Sequence, residues 1–303
     1  MASPPSDFSP LGPLQLSAEQ VSTAADFHES YARLVLQEAE SDGRPGSHAL
    51  IEAASAYRLA GQWRLLVDPG RAVRGALAQA ADLFTRAGLT FGAYLRASLA
   101  PRGVERSTRD NWTRRLLTQN AGRGGPDDLL DHPQQQAYLL LACAMLAGED
   151  PAARDRLTGF ATESPHRVGV VPVGSLAMPV RMFWGLALNL LEEGERSAES
   201  YAATLAELSR AYAKSVDLAM ANERTWFKAA APVDVADLDL IGATAMGVRR
   251  FGEVRMRRLL ADVAGDVSAV AKVPLNIGIR VAGPPGPPEP RPPHTPPTGP
   301  GDL

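Results

Sequence analysis

Along most of this chain, apolar residues recur at the three-to-four-residue spacing of an α-helix, and the strict alternation of a half-buried strand is nearly absent. In "SAEQVSTAADFHESYARLVLQEAE" (17–40), Val21, Ala24, Ala25, His28, Tyr31, Ala32 and Val35 fall on one stripe. Ser17 is the expected N-cap and Gln20 sits at the capping-box position. The helix is expected to stop at "SDGRPG". A second helix is expected from about Ser47 to Leu59 and a third from Pro69 to Ala87. Asp68 is placed to cap the third, with Pro69 at the first helical position, where its missing N–H costs nothing. The stretches "ASAYRLAG" (54–61) and "ADLFTRAG" (81–88) share the pattern A-x-x-aromatic-x-x-A-G. Gly61 and Gly88 are therefore expected to end their helices in the left-handed conformation. "LACAMLAG" (141–148) repeats only the final Ala-Gly, and offsets of 27 and then 60 residues give no fixed period. That does not support a true tetratricopeptide array, whose repeat is about 34 residues.

Four more helices are read at "DHPQQQAYLLLACAMLAGED" (131–150), "PVRMFWGLALNLLEEG" (179–194), "SAESYAATLAELSRAYAKSVDLAMANERTWFK" (197–228) and "DVADLDLIGATAMGVRRFG" (234–252). Two pieces rich in β-branched residues, "RVGVVPVGSLAM" (167–178) and "KVPLNIGIRV" (272–281), are expected to be extended. The fold class is thus all-α: an irregular stack of antiparallel helical hairpins, either solenoid-like or a bundle. Residues 1–16, with four prolines and little periodicity, and 283–303, dominated by proline and glycine, are expected to be disordered segments flanking a single helical domain at 17–282. "PPEPRPP" in the tail fits the PxxP pattern of SH3-type ligands, a match that composition alone produces.

A chain of 303 residues with 45% hydrophobic content is long enough for one large core. A net charge of -3 supplies no global field for nucleic acid or an anionic membrane, so neither is an expected partner. Lysine occurs only at 214, 228 and 272, and the arginine-heavy, alanine-rich usage fits a GC-rich bacterial genome. The single cysteine, Cys143, lies in an apolar run and reads as a small buried hydrophobe. The first residues lack a basic and an apolar region of the secretory type, and no run approaches the ~18 apolar residues of a membrane span. A cytoplasmic location is expected.

Catalytic and metal-binding patterns are hard to find. The five histidines, at 28, 48, 132, 166 and 294, include no pair at i and i+4, and "FHESYA" lacks the second histidine of a zinc motif. "AGRGGPDD" (121–128) has no Gly-Lys-Ser/Thr to cradle a phosphate, and Ser175 in "PVGSLAM" lacks the spacing of a nucleophile elbow. Arg44 and His48 are a poor match to a ribonuclease pair. Arginines gather at Arg249, Arg250, Arg255, Arg257 and Arg258, and again at Arg102, Arg106, Arg109, Arg114 and Arg115. With only Phe251 and Trp112 nearby, these read as solvated faces or salt-bridge partners. The expected enzyme activity, cofactor and metal are all none.

"APVDVADLDLIG" (231–242) places Asp234, Asp237 and Asp239 in an apolar run. Two of these carboxylates, Asp234 and Asp237, are expected on one helical face at i and i+3, with Asp239 pointing elsewhere. That arrangement suits a helix start better than a hard cation. It also leaves room for a surface that meets a basic partner, with Asp234 and Asp237 joined by Glu192, Glu193 and Glu195 of "NLLEEGE" as candidate partner-binding residues.

The succession "RLLVDPGRAVRGALAQAADLFTRAG", "AYLLLACAMLAGEDPAARDRL", "LAMPVRMFWGLALNLLEEGERSAESYAATLAELSRAYAKS" and "WFKAAAPVDVADLDLIGATAMGVRRFG" resembles the immunity 49 family of bacterial polymorphic-toxin systems over about residues 45–255. The proline-led aromatic helix (Pro179, Phe183, Trp184), the Tyr212 to Trp226 spacing and the "DLDLIG" helix carry the likeness. It implies an all-helical, cytoplasmic, non-catalytic protein that neutralises a cognate toxin by binding it. No toxin-contacting residue carries over, and the Pro-rich ends and "HRVGVVPVG" have no counterpart. A helical-repeat, tetratricopeptide-like scaffold or regulatory protein that binds peptides or partner proteins is the alternative. The oligomeric state is left open by the sequence.

Overall fold

The structure, a computed structural model, describes residues 16–43, 45–99, 178–191, 194, 196–221, 236–265, 267, 269 and 272–283. Among these residues all regular structure is helical and no strand occurs. The expected elements at 131–150 and 167–177, and Cys143, fall outside the described residues.

Helix α1 (Ala18–Ser41) starts as its sequence dictates. The Ser17 hydroxyl accepts from Gln20 N–H at 3.1 Å while the Gln20 side chain accepts from Ser17 N–H at 2.8 Å. It folds back on α2 (Ser47–Leu65) through Val21, Ala25 and Ala32, which are buried. Arg64, at the end of α2, ties the pair together. Its guanidinium donates to Asp26 at 2.8 Å and also pairs with Glu29. The expected stripe of α1 is partly wrong: Tyr31 is exposed, and Ala24, His28 and Val35 are only half-buried.

Helix α2 runs six residues past its expected end, through Gly61. Instead of capping the helix, Gly61 lies inside it where Leu77 of the next long helix crosses. A Cβ at Gly61 would stand 2.4 Å from Leu77 Cγ. Gly88, in the matching sequence, does adopt a left-handed φ of 84° after its helix ends. One pattern thus has two uses: close helix approach at Gly61 and chain reversal at Gly88. The single helix expected at 69–87 is also divided, into α3 (Pro69–Arg74), capped by Asp68 as expected, and α4 (Ala76–Arg86). The break at Gly75 re-aims the chain so that α4 packs along α2. Helix α5 (Thr90–Leu99) then packs on α4.

The second half comprises α6 (Met178–Leu191), α7 (Ser197–Ala221), α8 (Leu238–Phe251), α9 (Glu253–Val263) and α10 (Val273–Ala282). Helix α8 is the hub, packing against α5, α6, α7, α9 and α10. Every residue from Leu238 to Val248 except Asp239 is buried. Small residues make this possible. A Cβ at Gly242 would lie 2.5 Å from the Tyr94 hydroxyl, and one at Gly247 2.5 Å from Tyr201 Cε1. Gly252, at φ 90°, turns the chain from α8 into α9.

The segment expected to be extended at 272–281 is helix α10 instead. Pro274 sits in its first turn, where proline is tolerated, and Val273, Leu275, Ile277 and Ile279 are buried. The helical disfavour of a β-branched residue is about 0.5 kcal/mol, against about 1.5–3 kcal/mol for burying its side chain. Burial against α8 therefore decides the conformation.

Candidate functional site

The acidic segment that opens α8 is the first candidate. Asp237 is not on the helix but precedes it, and its carboxylate accepts from Leu240 N–H at 2.8 Å as the N-cap. Asp237 therefore does not lie on the helical face expected of it. Asp239 lies in the first turn, where a negative charge complements the helix dipole. Asp234, Glu192, Glu193 and Glu195 lie outside the described residues. Around Asp237 the chain is moored from two sides. The Gln62 amide donates to the Ala236 carbonyl at 3.0 Å, and the Tyr94 hydroxyl donates to the Asp239 carbonyl at 2.7 Å. These bonds make the start of α8 a structural joint.

Other polar groups facing α8 serve the same end. The Tyr201 hydroxyl, fully buried, donates to the Ala243 carbonyl at 2.7 Å, and burial pushes its pKa far above the ordinary tyrosine value. Arg249 was expected on a solvated or ion-paired face. Instead it reaches across to α5 and donates to the carbonyls of Ser98 at 2.6 Å and Ala97 at 3.2 Å. Those belong to the last turn of α5, where carbonyls have no helical partner and a cation is favoured. The outer arginines behave as expected: Arg255 pairs with Glu199 at 2.8 Å and Arg257 with Glu253 at 2.9 Å. Hydrogen bonding from Arg255 holds the Glu199 carboxyl below its ordinary pKa. The second arginine group, 102–115, lies outside the described residues.

An open cleft of about 490 Å³ lies between α7 and the end of α9, with Glu207, Arg210 and Asp262 on its walls. Arg210 donates to the Val263 carbonyl at 2.6 Å and so holds the two helices together. Among the described residues, no group of three or more His, Cys, Asp or Glu is placed to hold a metal. No helix there is long and apolar enough to cross a membrane. His48 and Glu52 approach to 3.9 Å on the surface of α2, and the histidines at 132, 166 and 294 fall outside the described residues.

The surface feature that the sequence reading missed is on α1. Phe27 is 68% exposed, Leu34 50% and Tyr31 42%. Their spacing of i, i+4 and i+7 places them on one face. Tyr31 donates to the Glu52 carboxylate of α2 at 2.5 Å, and its hydroxyl is held above the ordinary pKa by that bond and by the charges of Glu52 and Glu38. The clue in the sequence was an excess. Phe27 and Leu34 are large apolar residues lying outside the stripe that α1 needs for its own packing.

Comparison of the chain with family models, curated proteins and solved structures returns no match in any of the three.

Proposed function

We propose that this chain is a non-catalytic protein-binding module, most specifically an immunity protein that neutralises a cognate bacterial toxin by holding it. The observation that carries the reading is the aligned, exposed apolar face of α1 at Phe27, Tyr31 and Leu34. Single exposed apolar residues are ordinary, whereas several large ones in line mark surfaces that meet another macromolecule. The order of helices that resembles the immunity 49 family supplies the toxin as the specific partner. The net charge of -3 favours a basic one.

The test is co-expression. The chain is produced with each neighbouring reading frame of its genome, and growth is scored. Rescue from a toxic neighbour, with a one-to-one complex recovered by pull-down, supports the immunity reading. A toxic neighbour that is not rescued, or no toxic neighbour at all, sinks it and leaves a peptide-binding scaffold as the reading to pursue. Charge reversal at Asp234, Glu192, Glu193 and Glu195 tests the acidic candidates in the same assay. Asp237 is a poor probe there, because its replacement also removes the cap of α8.

A further inference from the structure

We infer that the outer face of α1 is a docking surface for a cationic amphipathic helix of a protein partner, laid along Phe27, Tyr31 and Leu34. The inference rests on the protein-binding reading and adds where the partner sits and what chemistry it presents.

Three observations define the occupant. The apolar residues span i to i+7 on one helix, about two turns, which matches the anchor spacing by which one amphipathic helix meets another. The face is bordered by carboxylates. Glu38 follows Leu34 one turn later, Glu52 accepts from Tyr31, and the Asp26 side chain beside Phe27 is 69% exposed. Helix α1 carries Glu19, Asp26, Glu29, Glu38 and Glu40 against Arg33, and even with Arg64 of α2 paired to Asp26 and Glu29 the acids remain in excess. An apolar ridge with Glu38 at its end and Glu52 and Asp26 beside it takes a partner that combines apolar residues with lysine or arginine. The same charges disfavour a second copy of this face, which would set carboxylates against carboxylates, and an anionic membrane, which would repel them.

The unidentified partner is replaced in the test by a probe. The full chain is titrated with a synthetic 18-residue Leu/Lys amphipathic peptide and with its Leu/Glu counterpart, followed by fluorescence anisotropy. The Leu/Lys peptide is expected to bind and the Leu/Glu peptide to show no binding. The Phe27→Ser, Leu34→Ser double variant is expected to bind at least tenfold more weakly at an unchanged melting temperature. Glu38→Lys with Glu52→Lys is expected to weaken binding severalfold, and Val254→Ser, altering a residue 85% exposed on α9, to leave it unchanged.

No binding of the Leu/Lys peptide, equal affinity for the double serine variant, or binding of the Leu/Glu peptide overturns the inference. So does a dimer of the free chain that the double serine variant abolishes, because the face then belongs to a second copy. The two readings fail separately. Full toxin rescue by the double serine variant discards this face while keeping the immunity function, whereas an absent toxin discards the immunity function and leaves the peptide result standing.

Discussion

Helices α1 and α8 are both amphipathic in sequence, yet the fold uses them in opposite ways. Among the described residues, helix α8 is enclosed by five neighbouring helices and built from small residues, Gly242, Ala243, Ala245 and Gly247, so that large side chains from α5 and α7 can close on its backbone. Helix α1 packs chiefly on α2 and leaves its largest apolar side chains outside. The difference separates two jobs. Backbone access at α8 holds the helical stack together, and side-chain exposure at α1 leaves the face that is proposed above to meet a partner.

The largest effect is expected where a Cβ has nowhere to go. At Gly278 it would stand 2.6 Å from Thr244 Cβ and 2.7 Å from the Ile241 carbonyl, neither being the tip of a flexible chain. Gly278→Ala is expected to cost about 3 kcal/mol, the upper part of the overpacking range, in denaturant unfolding. A loss within experimental error would mean that α8 and α10 are not in close contact.

The two glycines of the shared pattern give a second test. At Gly88 the demand is a left-handed backbone, which asparagine tolerates, so Gly88→Asn is expected to cost less than Gly88→Val. At Gly61 the demand is space, so Gly61→Asn is expected to destabilise by about 2 kcal/mol through Leu77. Equal tolerance of asparagine at both positions would erase the distinction.

Smaller effects follow from the tyrosine joints. Tyr94→Phe and Tyr201→Phe each remove one hydrogen bond to the α8 backbone and are expected to cost about 1 kcal/mol apiece. The smallest lies in α1. Burial holds His28 below its ordinary pKa of 6.5, so the folded state favours the neutral ring. The stability from that preference is present above the unfolded value and is lost as pH falls below about 6.5 through the folded pKa. A His28→Gln variant is expected to show a flatter stability profile between neutral pH and pH 5 than the native chain, followed by urea midpoints. Identical profiles would remove His28 as a contributor.

Much of this was visible in the sequence, because local signals there agree with tertiary demand. Ser17 with Gln20, and Asp68 with Pro69, start their helices as read, since a cap needs only the residues beside it. Two segments defeated the reading where tertiary contact outweighed local preference: Gly61, kept inside a helix by the crossing of Leu77, and 273–282, made helical by burial on α8. The candidate site was less legible. Asp237 was recognised as belonging to a helix start, but it was placed on a helical face, whereas it precedes α8 as its cap. The α1 ridge was half legible: Phe27 and Leu34 already fall off the expected stripe, but Tyr31 was placed on it, and the packing of α2 shows which face is already satisfied.

The most direct measurement is amide hydrogen exchange on the full chain, alone and with the Leu/Lys peptide. The account predicts that α8 amides exchange only through global unfolding and are unchanged by peptide. It also predicts that amides of α1 around Phe27 to Leu34 exchange faster and slow on peptide addition. Helix α1 protected as strongly as α8 without peptide, or peptide protection falling elsewhere, would contradict the division of labour between the two helices.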